Sequence, residues 1–76
     1  MVFDFSLKNQ SRATALHSLV LGIFAISHKN WEDKTAKVYF KDNRFKAITK
    51  MGEISEVDLN YVFREDDGYT IWEILQ

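Results

Sequence analysis

Residues Leu16 to Ile26 read LHSLVLGIFAI, the one long apolar run in the chain. The i, i+3, i+4, i+7, i+8 spacing of an amphipathic helix is followed by Leu16, Leu19, Val20, Ile23 and Phe24. Taken alone, the octet LVLGIFAI would also suit a buried strand. The length of the periodic segment, the alanines before it and the polar residues suited to capping favour a helix. We therefore predict one amphipathic helix over residues 11–28.

The remaining chain alternates apolar and polar residues, as half-buried β-strands do. A short strand over residues 2–7 precedes the helix and is expected at one edge of the sheet. After the helix, alternation and turn signals predict an antiparallel four-stranded meander over residues 35–41, 44–50, 54–64 and 69–75. We therefore predict a single α+β domain, residues 1–76, in which the helix packs on one face of the meander.

The first hairpin of the meander is set by its turn. Asp42-Asn43 suits a two-residue turn, because both residues tolerate positive φ. That turn pairs Phe40 with Phe45 and Val38 with Ala47 on the face toward the helix. The opposite face of the same hairpin would then carry Lys37, Tyr39, Lys41, Arg44 and Lys46.

The third strand needs a longer connection. A three-residue loop at 51–53 keeps the acidic residues of 54–64 out of the core, whereas a two-residue loop would bury them. The last hairpin is expected to turn at Asp67-Gly68 and to place Phe63 opposite Trp72 inside. The side chains left on the outer face would be Tyr69, Ile71, Glu73 and Leu75.

Composition bounds the class of protein. The chain has 76 residues and no cysteine, so disulfides, thiolate metal sites and a cysteine nucleophile are excluded. The absence of cysteine suits the cytosol, and we expect a cytoplasmic protein. A membrane-spanning helix needs about 20 apolar residues, more than the apolar run offers, so we expect no membrane association.

The net charge of −1 conceals a strong segregation of charge. Residues 1–50 carry nine basic and four acidic side chains, and residues 51–76 carry one basic and seven acidic side chains. In the predicted register Lys46 lies opposite Asp58, and such cross-strand pairs account for about half of the basic residues. Lys41 opposite Arg44 is a like-charge pair, which costs stability unless an anionic group approaches.

The outer sheet face therefore combines basic and apolar side chains, a composition typical of protein interfaces. We expect a protein partner to bind there. The candidate partner-binding residues are Lys37, Tyr39, Lys41, Arg44, Lys46, Val62, Tyr69, Ile71 and Leu75. The alternative is nucleic acid bound by the basic face of the 35–50 hairpin, with Tyr39 as a stacking surface and the cations along the phosphates.

A second candidate surface lies on the back of the predicted helix. Its stripe opposite the core is small and almost uncharged, and small residues allow two helices to approach closely. A homodimer is therefore possible. Its candidate contact residues are Thr14, Ser18, Gly22 and Ala25.

No pattern of residues predicts catalysis, metal binding or cofactor binding. The chain has no glycine-rich phosphate loop, and no serine is accompanied by a placed histidine and acid. We expect no catalytic residues, no metal site and no cofactor. The sequence indicates a small non-catalytic binding module, an adaptor or inhibitor acting through protein contacts, with nucleic-acid binding as the alternative. Its size also suits an accessory protein of a phage or mobile element.

Overall fold

A computed structural model describes residues 1–75 of the chain. Within that range the elements are, in chain order, β1 (Val2–Gln10), α1 (Arg12–Val20), β2 (Phe24–His28), β3 (Lys37–Lys41), β4 (Arg44–Ile48), β5 (Ile54–Glu56), α2 (Leu59–Val62) and β6 (Tyr69–Leu75). The strands form one antiparallel sheet in the order β1-β6-β2-β3-β4-β5. The predicted α+β class is confirmed, whereas the four-stranded meander with one long helix is not the arrangement found.

The predicted helix over 11–28 is wrong in its second half. Ser11 caps α1 by accepting a hydrogen bond from the Thr14 amide, but the helix ends at Val20. Gly22 then adopts a φ of +79°, a left-handed conformation that glycine tolerates and that ends a helix. The residues that follow become β2, an interior strand paired with β6 on one side and β3 on the other. Pairing on both sides satisfies the backbone of this apolar segment, and it outweighs the local helical pattern.

One face of the sheet carries α1. Ala15 and Leu19 of the helix are fully buried and form a cluster with Ile26, Val38 and Ile71 of three adjacent strands. These side chains lie on the same face because Ile26 is the register partner of both Val38 and Ile71. This cluster is the main hydrophobic core.

The β3–β4 hairpin has the predicted register. Phe40 pairs with Phe45 and Val38 with Ala47, and the turn residues Asp42 and Asn43 have φ values of +55° and +61°. Positive φ at both central residues is what a type I′ turn requires. The strands themselves are shorter than predicted, 37–41 and 44–48 in place of 35–41 and 44–50.

The strand predicted over 54–64 is a strand for three residues only. Beyond Glu56, Asp58 accepts a hydrogen bond from the Asn60 amide at 2.9 Å and caps the short helix α2. The apolar alternation of this segment indicated a strand, but the capping aspartate starts a helical turn. The pairing is also shifted by two residues, since Lys46 lies opposite Glu56 and not opposite Asp58.

The last strand is placed differently from the prediction. The hairpin at Asp67-Gly68, with Phe63 opposite Trp72, does not form, because β6 inserts between β1 and β2. Tyr69 and Ile71 consequently point into the core under α1. β1 lies at one edge of the sheet, as predicted, but it extends to Gln10 with irregular pairing after residue 5.

The sheet curls strongly. Phe3 of β1 and Ile48 of β4 line one cleft, although four strand spacings, about 19 Å in a flat sheet, separate those strands. Lys37 of β3 places its Nζ 4.6 Å from the ring centroid of Trp72 on β6. The face away from α1 is therefore concave, and it buries side chains of its own, among them Tyr39 and Ala25.

Candidate functional site

Four large aliphatic side chains remain on the surface where α1 ends and the chain turns into β2. Leu16, Val20, Leu21 and Ile23 are 42, 48, 53 and 58% exposed. Leu16 and Val20 are one helical turn apart and so lie on one side of the helix. No Lys, Arg, Asp or Glu occurs between Ala13 and Ser27. We call Leu16, Val20, Leu21 and Ile23 the helix-end surface.

The early end of α1 is the reason why these side chains are exposed. A helix reaching residue 28 would have placed Leu16, Val20 and Ile23 on its core-facing stripe, and that expectation is wrong. Of that stripe, the nine-residue helix buries only Leu19, and it also buries Ala15. Gly22 inside the apolar run was the sequence signal for the break, since glycine in a helix interior costs about 1 kcal/mol relative to alanine.

The predicted hairpin site is only partly accessible. Tyr39 lies on the predicted face of the hairpin, opposite Lys46, but it is 3% exposed, so its predicted exposure is wrong. The curl of the sheet covers this side chain, and Tyr39 cannot serve as a stacking surface. Lys37 is half-buried because its ammonium group lies over the Trp72 ring, a cation–π contact, and Lys46 is also half-buried.

The like-charge pair of the hairpin is relieved within the protein. Lys41 and Arg44 are register partners, as predicted, and both are exposed. Arg44 donates a hydrogen bond from its Nη1 to Glu56 Oε1 at 3.0 Å, forming an ion pair with β5. No external anion is therefore needed to explain this arrangement.

The apolar half of the predicted partner site is mostly interior. Val62, Tyr69 and Ile71 are between 0 and 2% exposed, so their predicted outward positions are wrong. Val62 lies on α2 and not on a strand, and β6 presents Tyr69 and Ile71 to the core. Leu75 is 38% exposed and stays on the surface.

The predicted dimer stripe does not exist as one surface. Thr14 and Ser18 lie on α1, Gly22 lies in the turn after it, and Ala25 is fully buried in β2. The stripe assumed a continuous helix, and the break at Gly22 separates its members.

The concave face of the sheet holds a cleft of about 570 Å³ that sequence reasoning did not find. Lys34, Lys37 and Lys50 line it together with Phe3 and Trp72. Within the described residues, neither Asp nor Glu lines it. We call it the basic cleft. Lys37 is its one member among the predicted site residues; Lys34 and Lys50 flank the strands, and their approach to Trp72 depends on the curl of the sheet.

Two polar side chains of the core, Tyr69 and His28, are hydrogen-bonded to the backbone. The Tyr69 hydroxyl donates to the Val62 carbonyl at 2.8 Å, and burial raises the pKa of this phenol. His28 Nδ1 accepts from the Asn30 amide at 3.0 Å, which leaves Nε2 to donate to the Asp67 carbonyl. Both groups fix loop positions around β6. Among residues 1–75, no three His, Asp or Glu side chains are grouped to hold a metal ion.

Comparisons with known proteins give no relative. No family model matches the chain, and neither a curated protein nor a solved structure matches it. Over the part of the chain that the structure describes, no helix is long and apolar enough to cross a membrane.

Proposed function

We propose that the protein is a small non-catalytic binding module and that a protein partner docks on its helix-end surface. The observation that carries the proposal is the exposure of Leu16, Val20, Leu21 and Ile23, which lie within eight residues of one another. Single exposed leucines are common, but a group of large aliphatic side chains without charge is typical of interaction sites.

The chemistry of this surface defines the partner. Because no charged side chain lies between Ala13 and Ser27, ion pairs within the patch cannot recruit a ligand. The partner should present an apolar, uncharged surface, and burial of apolar area would supply the affinity. An interface of this kind suits an adaptor or inhibitor that acts in the cytoplasm.

The test uses two isoleucines of matched exposure. Ile23 is 58% exposed on the helix-end surface, and Ile54 is 57% exposed on β5 at the far edge of the sheet. Proteins are captured from nuclease-treated native cell extract with three affinity-tagged forms of the chain: wild type, Ile23→Glu and Ile54→Glu. Mass spectrometry quantifies each captured protein. We expect Ile23→Glu to reduce the amount of a captured protein at least about tenfold. Burying the new carboxylate in the interface costs more than about 1.4 kcal/mol, which is a tenfold loss of affinity.

Ile54→Glu is the control and should retain the captured protein. Equal loss in both variants would show that the helix-end surface is not the binding site. Circular dichroism of both variants establishes that the fold is intact before capture. If the captured protein is this chain itself, sedimentation of purified wild type should show a dimer that Ile23→Glu dissociates.

Nucleic acid is the second candidate ligand, and the basic cleft favours it. Lys34 and Lys50 would bind phosphates, and the ammonium group of Lys37, which lies over the Phe3 and Trp72 rings, adds a third cation. Tyr39 and Arg44 have no part in this mode of binding, since the first is buried and the second is paired with Glu56.

Fluorescence anisotropy with a labelled single-stranded oligonucleotide tests this candidate. Binding should weaken steeply as salt rises, because each phosphate contact releases counterions. Lys50→Glu should weaken binding more than Lys29→Glu, a charge reversal at an exposed lysine outside the cleft. Equal losses would indicate nonspecific attraction, and no binding at low salt would dismiss nucleic acid.

A further inference from the structure

The strands of the sheet are not evenly connected. β2 has five register pairs with β6, and β3 has five with β4, but β2 and β3 share a single one, Ile26 with Val38. We call this junction the seam. Each further pair adds backbone hydrogen bonds and cross-strand contacts, so the sheet opens at the lowest cost along the seam. The seam divides the sheet into two parts, β1-β6-β2 and β3-β4-β5.

The basic cleft spans the seam. Phe3 and Trp72 line the cleft from β1 and β6, on one side of the seam. Lys37 and Ile48 line it from β3 and β4, on the other side, and Lys50 follows β4. A movement of the two parts of the sheet relative to each other therefore changes the width of the cleft.

The Lys37 side chain crosses the cleft. It starts on β3, and its Nζ lies 4.6 Å from the ring centroid of Trp72 and 5.3 Å from that of Phe3. The Nζ also donates a hydrogen bond to the Thr35 carbonyl at 3.2 Å. The ion pairs found within residues 1–75 involve arginines and do not include Lys37. Two aromatic rings thus hold this cation across the seam, and an anion entering the cleft would meet a charge that none of those ion pairs neutralises.

The two parts of the sheet are held together away from the cleft. On the other face, α1 covers Ile26 and Val38 together in the main core. On the concave face, Ala25 and Tyr39 are buried, and they lie opposite each other across the seam because they flank the Ile26–Val38 pair. Movement at the seam is therefore expected at its other end, next to Lys37.

We propose that the basic cleft is a gated site for phosphate groups, in which the two parts of the sheet separate at the seam and Lys37 is the gate. In the closed state the Lys37 ammonium group rests on the Trp72 and Phe3 rings. A phosphate offers that ammonium a charge-assisted hydrogen bond, which is stronger than an exposed cation–π contact, so Lys37 leaves the rings and the cleft opens. The choice of ligand rests on nucleic-acid binding, the second candidate function, whereas the movement at the seam does not depend on it.

Hydrogen exchange of the free protein, followed by NMR, tests the movement without a ligand. β2 provides its own reference, because one side of this strand carries the five-pair ladder with β6. We compare exchange rates after dividing each by the rate of the unfolded chain. Amides bonded across the seam should exchange at least about tenfold faster than amides bonded between β2 and β6.

Two lysine substitutions on β3 test the gate. Lys37→Met keeps an aliphatic side chain but removes the cation, so exchange across the seam should rise about two- to fivefold, the range of one exposed cation–π contact. Lys41→Met removes an exposed charge from the same strand, outside the cleft, and should leave this exchange unchanged. Exchange between β2 and β6 should be the same in both variants as in wild type.

NMR of the lysine ε-methylene groups tests the response to a ligand. Ring currents from Trp72 and Phe3 should shift the Lys37 signals upfield. Inorganic phosphate and a single-stranded oligonucleotide are titrated separately at low salt. Each should move the Lys37 signals saturably downfield, and saturation by the oligonucleotide at a lower phosphate concentration would identify nucleic acid as the preferred source. Lys8 is the matched control, since its Nζ lies 5.1 Å from the Phe5 ring outside the cleft, and its signals should stay in place.

Three results would overturn the proposal. The first is equal protection of the amides on the two sides of β2, and the second is an equal effect of Lys37→Met and Lys41→Met. The third is a set of Lys37 signals that neither phosphate nor oligonucleotide moves more than those of Lys8. If the oligonucleotide still binds in the anisotropy assay, the gate alone fails, and without such binding the nucleic-acid candidate fails as well.

Discussion

The helix-end surface and the β3–β4 hairpin form an instructive pair. Sequence reasoning assigned the first to the core and the second to partner binding. The structure exposes Leu16, Val20 and Ile23, and it buries Tyr39 and neutralises Arg44 within the hairpin. The two reversals have different sources. The length of α1 and the curl of the sheet decide which apolar residues are covered, and neither quantity is visible in local periodicity.

Substitution of Tyr39 tests whether the β3–β4 hairpin buries this side chain. If the concave face is a second buried layer, Tyr39→Ala should destabilise the protein by about 3–5 kcal/mol, as other aromatic-to-alanine changes in cores do. Lys41→Ala, two residues along the same face but exposed, should cost less than about 0.5 kcal/mol. Urea unfolding measures both. A cost for Tyr39→Ala as small as that of Lys41→Ala would contradict the curled sheet.

Two leucines one helical turn apart test whether α1 exposes the helix-end surface. Leu19 is fully buried, whereas Leu16 is 42% exposed. Leu19→Ala should lower the free energy of unfolding by about 2–5 kcal/mol, and Leu16→Ala by less than about 1 kcal/mol. A long helix with both residues on its core-facing stripe would instead give two large losses. Thermal or urea unfolding of the two variants distinguishes these arrangements.

The break at Gly22 offers a smaller test. Alanine would favour a continuous helix, but the native φ of +79° at this position disfavours any L-residue side chain. A Cβ added to Gly22 would meet only the Phe40 carbonyl oxygen, at 3.7 Å, which is an ordinary contact. Gly22→Ala should therefore destabilise the fold by about 1–2 kcal/mol through backbone strain alone. A stabilised variant would support the longer helix.

The smallest expected effect concerns a like-charge pair at the sheet edge. Asp4 of β1 lies directly opposite Glu73 of β6, and both are exposed. Like charges in this position are destabilising, so Glu73→Lys should stabilise the protein by about 0.2–1 kcal/mol. The gain should shrink in high salt, because the charges are accessible to solvent. No change at low salt would mean that β1 is not paired in this register.

Local chemistry made part of the fold predictable. Three features follow from residues next to one another in sequence: the Asp42-Asn43 turn, the five-pair register of its hairpin and the extent of β6. Long-range pairing was not predictable in the same way. β6 pairs with β1 and β2, and this pairing places Tyr69 and Ile71 on the core face.

The candidate sites depended on the same long-range features. Glycine at position 22 is the sequence signal for the helix break, but the prediction used Gly22 only as a dimer-contact candidate. The basic cleft needed Lys34, Lys50 and Trp72 to meet across the curled sheet, and these residues are far apart in sequence.

Site-specific photo-crosslinking shows directly whether a protein contacts the helix-end surface. Benzoylphenylalanine replaces Val20, 48% exposed on that surface, or Met51, 86% exposed in the β4–β5 loop, in native cell extract. We expect a discrete crosslinked protein from position 20 that Ile23→Glu abolishes, and none from position 51 despite its greater exposure. The same adduct from both positions, or an adduct at position 20 that survives Ile23→Glu, would contradict it.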